Sequence, residues 1–156
     1  MLRSEVPRAA LRAPAIALIV VALVAGCGDG VGKTYPVSGT VFIGAAPLDA
    51  KSATVMFVPD RTKGNTSSFE PGATVDSTGH YTVFTKNQRG APPGWYKVVV
   101  TGIAEAPPPE SKGPLTKRPA PKSLVPAKYG RAATTPLEIE VVANPATGAY
   151  DLNLKP

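Results

Sequence analysis

The stretch that decides the fold is WYKVVVTGI, at Trp95–Ile103. Within it, Tyr96, Val98 and Val100 alternate with Lys97 and other residues at a period of two. This period is typical of a β-strand that buries one face and exposes the other. We therefore predict a strand over Trp95–Ile103, with Tyr96, Val98 and Val100 pointing into a core and Lys97 pointing outward.

Six further segments share this alternation, and turn residues separate them. They are Tyr35–Ile43, Ala53–Val58, Gly72–Asp76, Tyr81–Thr85, Leu137–Val141 and Tyr150–Leu154. The chain contains 18 prolines and 15 glycines, which suits short strands joined by turns better than helices. The pattern predicts an all-β fold, a seven-stranded antiparallel β-sandwich. The predicted core consists of Val37, Val41, Val55, Phe57, Tyr81, Val83, Tyr96, Val98, Val100, Leu137, Ile139, Val141, Tyr150, Leu152 and Leu154.

The beginning of the chain has the pattern of a secretory signal. Three arginines precede an apolar run at Ala13–Cys27. The run is shorter than the ~20 apolar residues of a membrane-spanning helix, and it contains Pro14. We therefore predict a signal-peptide helix that is removed from the mature protein.

Cys27 is the only cysteine of the protein and ends the apolar run after Leu-Val-Ala-Gly26. This ending resembles the lipobox of bacterial lipoproteins. The resemblance implies that cleavage separates Gly26 from Cys27, and that Cys27 is acylated and anchors an exported protein to the cell membrane. Gly28, not aspartate, follows the cysteine, which by the same resemblance favours the outer membrane. The alternative is an unlipidated secreted protein with a reactive free thiol.

Removal of residues 1–26 leaves 130 of the 156 residues, which suits one domain. We predict a lipoprotein signal peptide at 1–26, a flexible tether at 27–34 and a β-sandwich domain at 35–156. The domain contains a Pro/Lys-rich loop at about 104–135, predicted to be largely extended. Leu124, Val125 and Tyr129 are apolar residues within this loop that are candidates to pack back on the domain.

The formal net charge is +6. The excess positive charge lies in one proline-rich segment, which argues against a nucleic-acid-binding protein. Within Glu110–Arg131, six cationic side chains accompany one glutamate, and prolines lie between them. An exported protein is also in the wrong compartment for nucleic acid. The segment is better interpreted as a basic loop that associates with anionic lipid or wall polymer.

Five motifs resemble one family in their order and spacing. They are PVSGTV at Pro36–Val41, VxFxP at Val55–Pro59, DxxGxY at Asp76–Tyr81, GWYKVVV at Gly94–Val100 and PAKYG at Pro126–Gly130. Together they resemble the carboxypeptidase-regulatory-like, transthyretin-like domain of small bacterial lipoproteins. The resemblance implies a seven-stranded sandwich with a non-catalytic accessory role in the cell envelope.

Residues suited to catalysis or metal binding are few. Transthyretin-like folds include hydroxyisourate hydrolases, which by resemblance use several His and Arg residues and end in Tyr-Arg-Gly-Ser. Here His80 is the only histidine and the chain ends DLNLKP. Asp76 lies in a turn before Gly79, where its carboxylate suits local N–H groups better than a calcium ion. We predict a protein that is not an enzyme and holds no metal or cofactor.

A binding patch is the remaining candidate site. If Tyr81 and Tyr96 face the core, Phe84 and Trp95 point outward, and on neighbouring strands of a hairpin they would form one aromatic patch. Such a patch suits stacking on a sugar or peptide, with wall polysaccharide, peptidoglycan or an envelope protein as the partner. The alternatives are that the proline-rich loop covers the patch, or that Trp95 fills an edge of the sandwich.

Overall fold

The computed structural model of the protein describes residues 30–50, 52–103 and 122–156. Among these residues there are ten strands and two short 3-10 helices, so the predicted all-β fold is confirmed. The strands are Ser38–Ile43 (β1), Ala46–Pro47 (β2), Ser52–Pro59 (β3), Gly72–Val75 (β4), His80–Thr82 (β5), Phe84–Thr85 (β6), Gln88–Arg89 (β7), Gly94–Ile103 (β8), Glu138–Val141 (β9) and Leu152–Leu154 (β10). The 3-10 helices are Arg61–Lys63 and Ala127–Gly130. The predicted signal helix and Cys27 lie outside the described residues.

The antiparallel strands β3 and β8 form the longest strand pairing among the described residues, joined through eight residue pairs. Alternation in the sequence becomes alternation in burial here. Val55 and Phe57 of β3, and Tyr96 and Val98 of β8, are almost completely buried. The ring of Phe57 meets the ring of Tyr96 edge-on at a centroid distance of 5.8 Å, a favoured arrangement for aromatic pairs.

Seven strands follow one another in the order β10-β1-β5-β4-β3-β8-β9, and the short strands β2, β6 and β7 pair at its margins. Strand β1 joins two parts of the sheet, because Ser38–Thr40 pair with β5 and Val41–Ile43 pair with β10. The inward side chains of the seven strands in this order belong to a single hydrophobic cluster. The sheet therefore curls around one core.

The predicted antiparallel arrangement needs one correction. Within the continuous curled sheet, β1 pairs with β10 in parallel, with Val41 opposite Leu152. No hairpin fixes the relative direction of these two strands, because most of the domain separates them in sequence. Long connections allow parallel pairing, whereas tight hairpins impose antiparallel pairing.

The predicted core is buried as expected, except that Leu137 is half-buried at its margin. Val31, Leu48, Ala50, Val75 and Ala91 are core members in addition to the predicted ones. Val125 and Tyr129 are also buried, which confirms that this part of the basic loop packs on the domain.

Candidate functional site

The two aromatic residues of the predicted patch lie apart. Phe84 is in β6, which pairs with β4 and β7, whereas Trp95 is in β8, which pairs with β3 and β9. In the sheet, β3 and β4 separate the two positions. The prediction that their strands are hairpin neighbours is therefore wrong. The reason is that Phe84 forms a short hairpin with β7, which lies between Phe84 and Trp95 in sequence and which the alternation pattern does not reveal.

Phe84 belongs to a groove on the outer face of the sheet. The groove crosses β3, β4 and β5 and has a volume of about 660 Å³. Phe84 and Met56 line it with 47% and 44% of their surface exposed. Thr74 and Thr82 contribute hydroxyl groups beside them. The groove thus combines exposed apolar surface with hydrogen-bonding groups.

One end of this groove is closed by the turn that carries Asp76 and His80. Asp76 Oδ1 accepts hydrogen bonds from the backbone N–H of Thr78 at 2.8 Å, from its hydroxyl at 2.6 Å and from the N–H of His80 at 3.0 Å. The Thr78 hydroxyl contributes most to lowering the pKa of Asp76, followed by these backbone groups. Gly79 has a φ of +82°, which favours glycine. The predicted local role of Asp76 and Gly79 is confirmed.

Trp95 is half-buried within a charged cluster. The ammonium of Lys63 lies 3.9 Å from the centroid of its ring, which is a cation–π contact. The same ammonium lies 2.5 Å from Glu138 Oε2, and Lys97 bonds the other carboxylate oxygen. Lys63 and Lys97, in that order, lower the pKa of Glu138 to about 2. Because Lys63 covers the ring, Trp95 does not offer a free stacking face like that of Phe84.

Two polar residues beneath this cluster, Asp60 and Asn65, are buried, although most residues of the loop at 60–68 are exposed. Asn65 donates from Nδ2 to the carbonyl of Trp95 at 2.8 Å and accepts from the N–H of Ser67 at 3.0 Å. Asp60 accepts from the hydroxyl and the N–H of Thr62, and that hydroxyl is the main cause that lowers the pKa of Asp60. These bonds satisfy the Asn65 amide and Oδ1 of Asp60, which would otherwise be costly to bury, whereas Oδ2 of Asp60 is buried with no hydrogen-bond partner among the described residues. The loop is therefore a fixed element that positions Lys63.

The start of the described chain also packs on this end of the domain. Val31 is only 6% exposed, and the hydroxyl of Thr34 donates to the carbonyl of Arg89 at 3.1 Å. Gly30 and Val31 line a polar cleft of about 390 Å³ together with residues 63–69 and 92–94. Contacts with the domain therefore begin within the segment predicted as a tether.

The described part of the basic loop lies at the opposite end of β8. Ser123 pairs with Ile103, where β8 ends. The hydroxyl of Tyr129 accepts from the N–H of Lys155 at 2.7 Å, and the hydroxyl of Thr135 donates to the carbonyl of Val98 at 2.7 Å. Residues 122–135 are thus held by buried contacts, while residues 104–121 lie outside the described residues.

Comparisons of the chain with protein-family models, curated proteins and solved structures returned no significant match. In the part of the chain that the structure describes, no helix is both long and apolar enough to cross a membrane. The same residues contain no group of three His, Cys, Asp or Glu side chains placed to hold a metal ion. Gly26 and Cys27, the predicted cleavage and acylation positions, lie outside the described residues. The candidate surfaces are therefore the groove at Phe84 and the end of the domain around Gly30.

Proposed function

We propose that the protein is an exported lipoprotein of the cell envelope, anchored through an acylated Cys27, with a non-enzymatic structural or protein-interaction role. One observation carries the proposal: the only cysteine ends a short apolar run after a basic start. Lipid attachment explains why an exported chain keeps an unpaired cysteine. Gly28 after the cysteine favours the outer membrane as its location.

The surface of the domain supports an interaction role. The groove at Phe84 and Met56 exposes two large apolar side chains on the outer face of the sheet. Clustered exposed apolar groups are typical of binding surfaces. The resemblance to transthyretin-like domains of small lipoproteins points to the same accessory role.

Metabolic labelling with palmitate tests the anchoring. Cells that produce the full chain are compared with cells that produce Cys27→Ser, and the label is measured in the protein band and in the membrane fraction. We expect label and membrane association for the natural chain and neither for Cys27→Ser. A natural chain that carries no label and stays in the soluble periplasmic fraction would refute the proposal.

A second candidate is a carbohydrate- or peptidoglycan-binding module, favoured by the exposed ring of Phe84 beside the hydroxyls of Thr74 and Thr82. An aromatic ring with hydroxyl neighbours suits a sugar. Calorimetric titration with soluble wall fragments tests it, with Phe84→Ala as the variant and Trp95→Phe as the matched aromatic control. Saturable binding that only Phe84→Ala removes supports this function, and no saturable heat with the natural chain argues against it.

A further inference from the structure

Covalent connectivity places one end of the domain beside the proposed lipid. Two residues separate Cys27 from Gly30, so their Cα atoms are three peptide units and at most about 11 Å apart. Gly30 lies in the cleft formed with residues 63–69 and 92–94, and Val31 is buried against the domain. A chain held in this way cannot lift the domain far from a bilayer. The side chains around Gly30 must then face the headgroups.

The charged side chains at this end are mainly cationic. We define the anchor-end surface by five of them: Lys33, Arg61, Lys63, Lys86 and Arg89. Lys63 lines the cleft next to Gly30. Lys33 and Arg89 are brought together by the hydrogen bond from Thr34 to the carbonyl of Arg89. Lys33, Lys63 and Arg89 therefore lie near the point at which the chain leaves toward Cys27.

Carboxylates at this end offset part of this positive charge. Asp60 is buried and Glu138 is already bound by Lys63 and Lys97. Glu70 is the exposed carboxylate next to Phe69. When Lys97 is counted with the five cations, six positive charges stand against the three carboxylates. The formal balance of these described side chains is therefore +3 (6 minus 3), which complements an anionic headgroup layer.

Lys86 adds an independent observation. It occupies the tip between β6 and β7 with a φ of +52°, the one described non-glycine residue with a positive φ. Glycine or asparagine would adopt this conformation at less cost. Its ammonium lies 4.7 Å from the ring centroid of Phe69, which lines the cleft. The backbone thus holds a cation beside an aromatic ring at the bilayer-facing end, a combination suited to the membrane interface.

We propose that the anchor-end surface binds anionic phospholipid headgroups and so fixes the orientation of the domain on the membrane. The proposal rests on the lipidation of Cys27 for its geometry. Strand β8 has ten residues and spans about 30 Å. Ser123, where the described part of the basic loop begins, is at the far end of this strand. The far end, with Lys122 and Lys128, therefore lies away from the membrane that the anchor-end surface contacts.

Hydrogen exchange in nanodiscs tests this orientation. The protein is isolated from membranes and placed in phosphatidylethanolamine nanodiscs with or without about 30 mol % phosphatidylglycerol. We expect slower amide exchange at residues 30–35 and 61–69 with phosphatidylglycerol, reversed by about 0.5 M salt. The double variant Lys33→Gln/Arg89→Gln should lose this protection. Lys122→Gln/Lys128→Gln is the control with the same change in charge, and it should keep the protection.

The same sample separates failure of this inference from failure of lipidation. Intact-mass measurement shows whether Cys27 carries lipid. If it does not, the protein is sedimented with phosphatidylglycerol vesicles, and Lys33→Gln/Arg89→Gln should weaken binding about 25-fold, or about fivefold per cation. Exchange or binding that does not depend on phosphatidylglycerol, or an equal loss in the Lys122/Lys128 control, would overturn the inference whatever the state of Cys27.

Discussion

Tyr81→Phe tests how the curled sheet is closed. The hydroxyl of Tyr81 donates to the carbonyl of Tyr150 at 2.5 Å, and Tyr81 is 1% exposed. This bond joins β5 to the segment that leads into β10. The substitution keeps the ring, whose centroid is 6.4 Å from that of Phe57, and removes only the donor. The carbonyl of Tyr150 is then left buried without the partner that the structure gives it.

An unsatisfied buried acceptor costs about 1–3 kcal/mol. For a domain of this size, each kcal/mol lowers the melting temperature by about 4 °C, so Tyr81→Phe should melt about 4 to 12 °C lower. Thermal unfolding followed by circular dichroism at pH 7 measures this shift. Tyr35→Phe is the control, because the hydroxyl of Tyr35 makes no hydrogen bond with the described residues. Equal melting temperatures of Tyr81→Phe and the natural chain would show that the bond from Tyr81 to the Tyr150 carbonyl does not stabilise the fold.

The same variant should also change how the stability of the fold depends on pH above 10. Burial, and then the charge of Asp151, raise the pKa of Tyr81 well above its ordinary value of 10.0. The unfolded chain ionises at that ordinary value while folded Tyr81 stays neutral, so stability falls as pH rises above 10. Burial also raises the pKa of Tyr96, so part of the fall should persist in Tyr81→Phe. A steeper fall in the variant than in the natural chain would contradict this.

Two further substitutions probe the backbone and the charged cluster. Gly90→Ala places a Cβ 2.1 Å from the carbonyl oxygen of Tyr35 at a φ of +98°, so urea unfolding should show a loss of roughly 2–5 kcal/mol. Gly64→Ala, with φ +81° and open space around it, should lose only about 1 kcal/mol; equal losses would contradict the clash. The pKa of Glu138 is lowered from 4.5 to about 2, so its contribution to stability is present above pH 4.5 and disappears as pH falls toward 2. Glu138→Gln should lower the melting temperature at pH 7 and flatten its dependence on acid; an unchanged acid dependence would contradict the cluster.

The sequence predicted the strands and the core because alternation reports burial directly. In β3 and β8, every second side chain is buried as the pattern requires. Alternation does not report which strands pair. The parallel pairing of β1 with β10 and the separation of Phe84 from Trp95 both depend on long-range partners that no local pattern encodes.

The burial of Asp60 and Asn65 was missed for a different reason. Asp60 and Asn65 have the composition of an exposed turn, and only their partners make burial tolerable. Asn65 is satisfied by Trp95, 30 residues away in sequence, and by Ser67. The φ of Lys86 likewise depends on the short hairpin of β6 and β7, which the sequence did not reveal. The anchor-end surface could therefore be recognised only from the three-dimensional arrangement.

Intact-mass spectrometry of the protein extracted from membranes tests whether a lipid on Cys27 holds it to the membrane. We expect a chain that begins at Cys27 and is heavier than residues 27–156 by the mass of its acyl groups, with the excess lost in Cys27→Ser. A mature chain of unmodified mass, or one that begins elsewhere and is released into the soluble fraction, would contradict it.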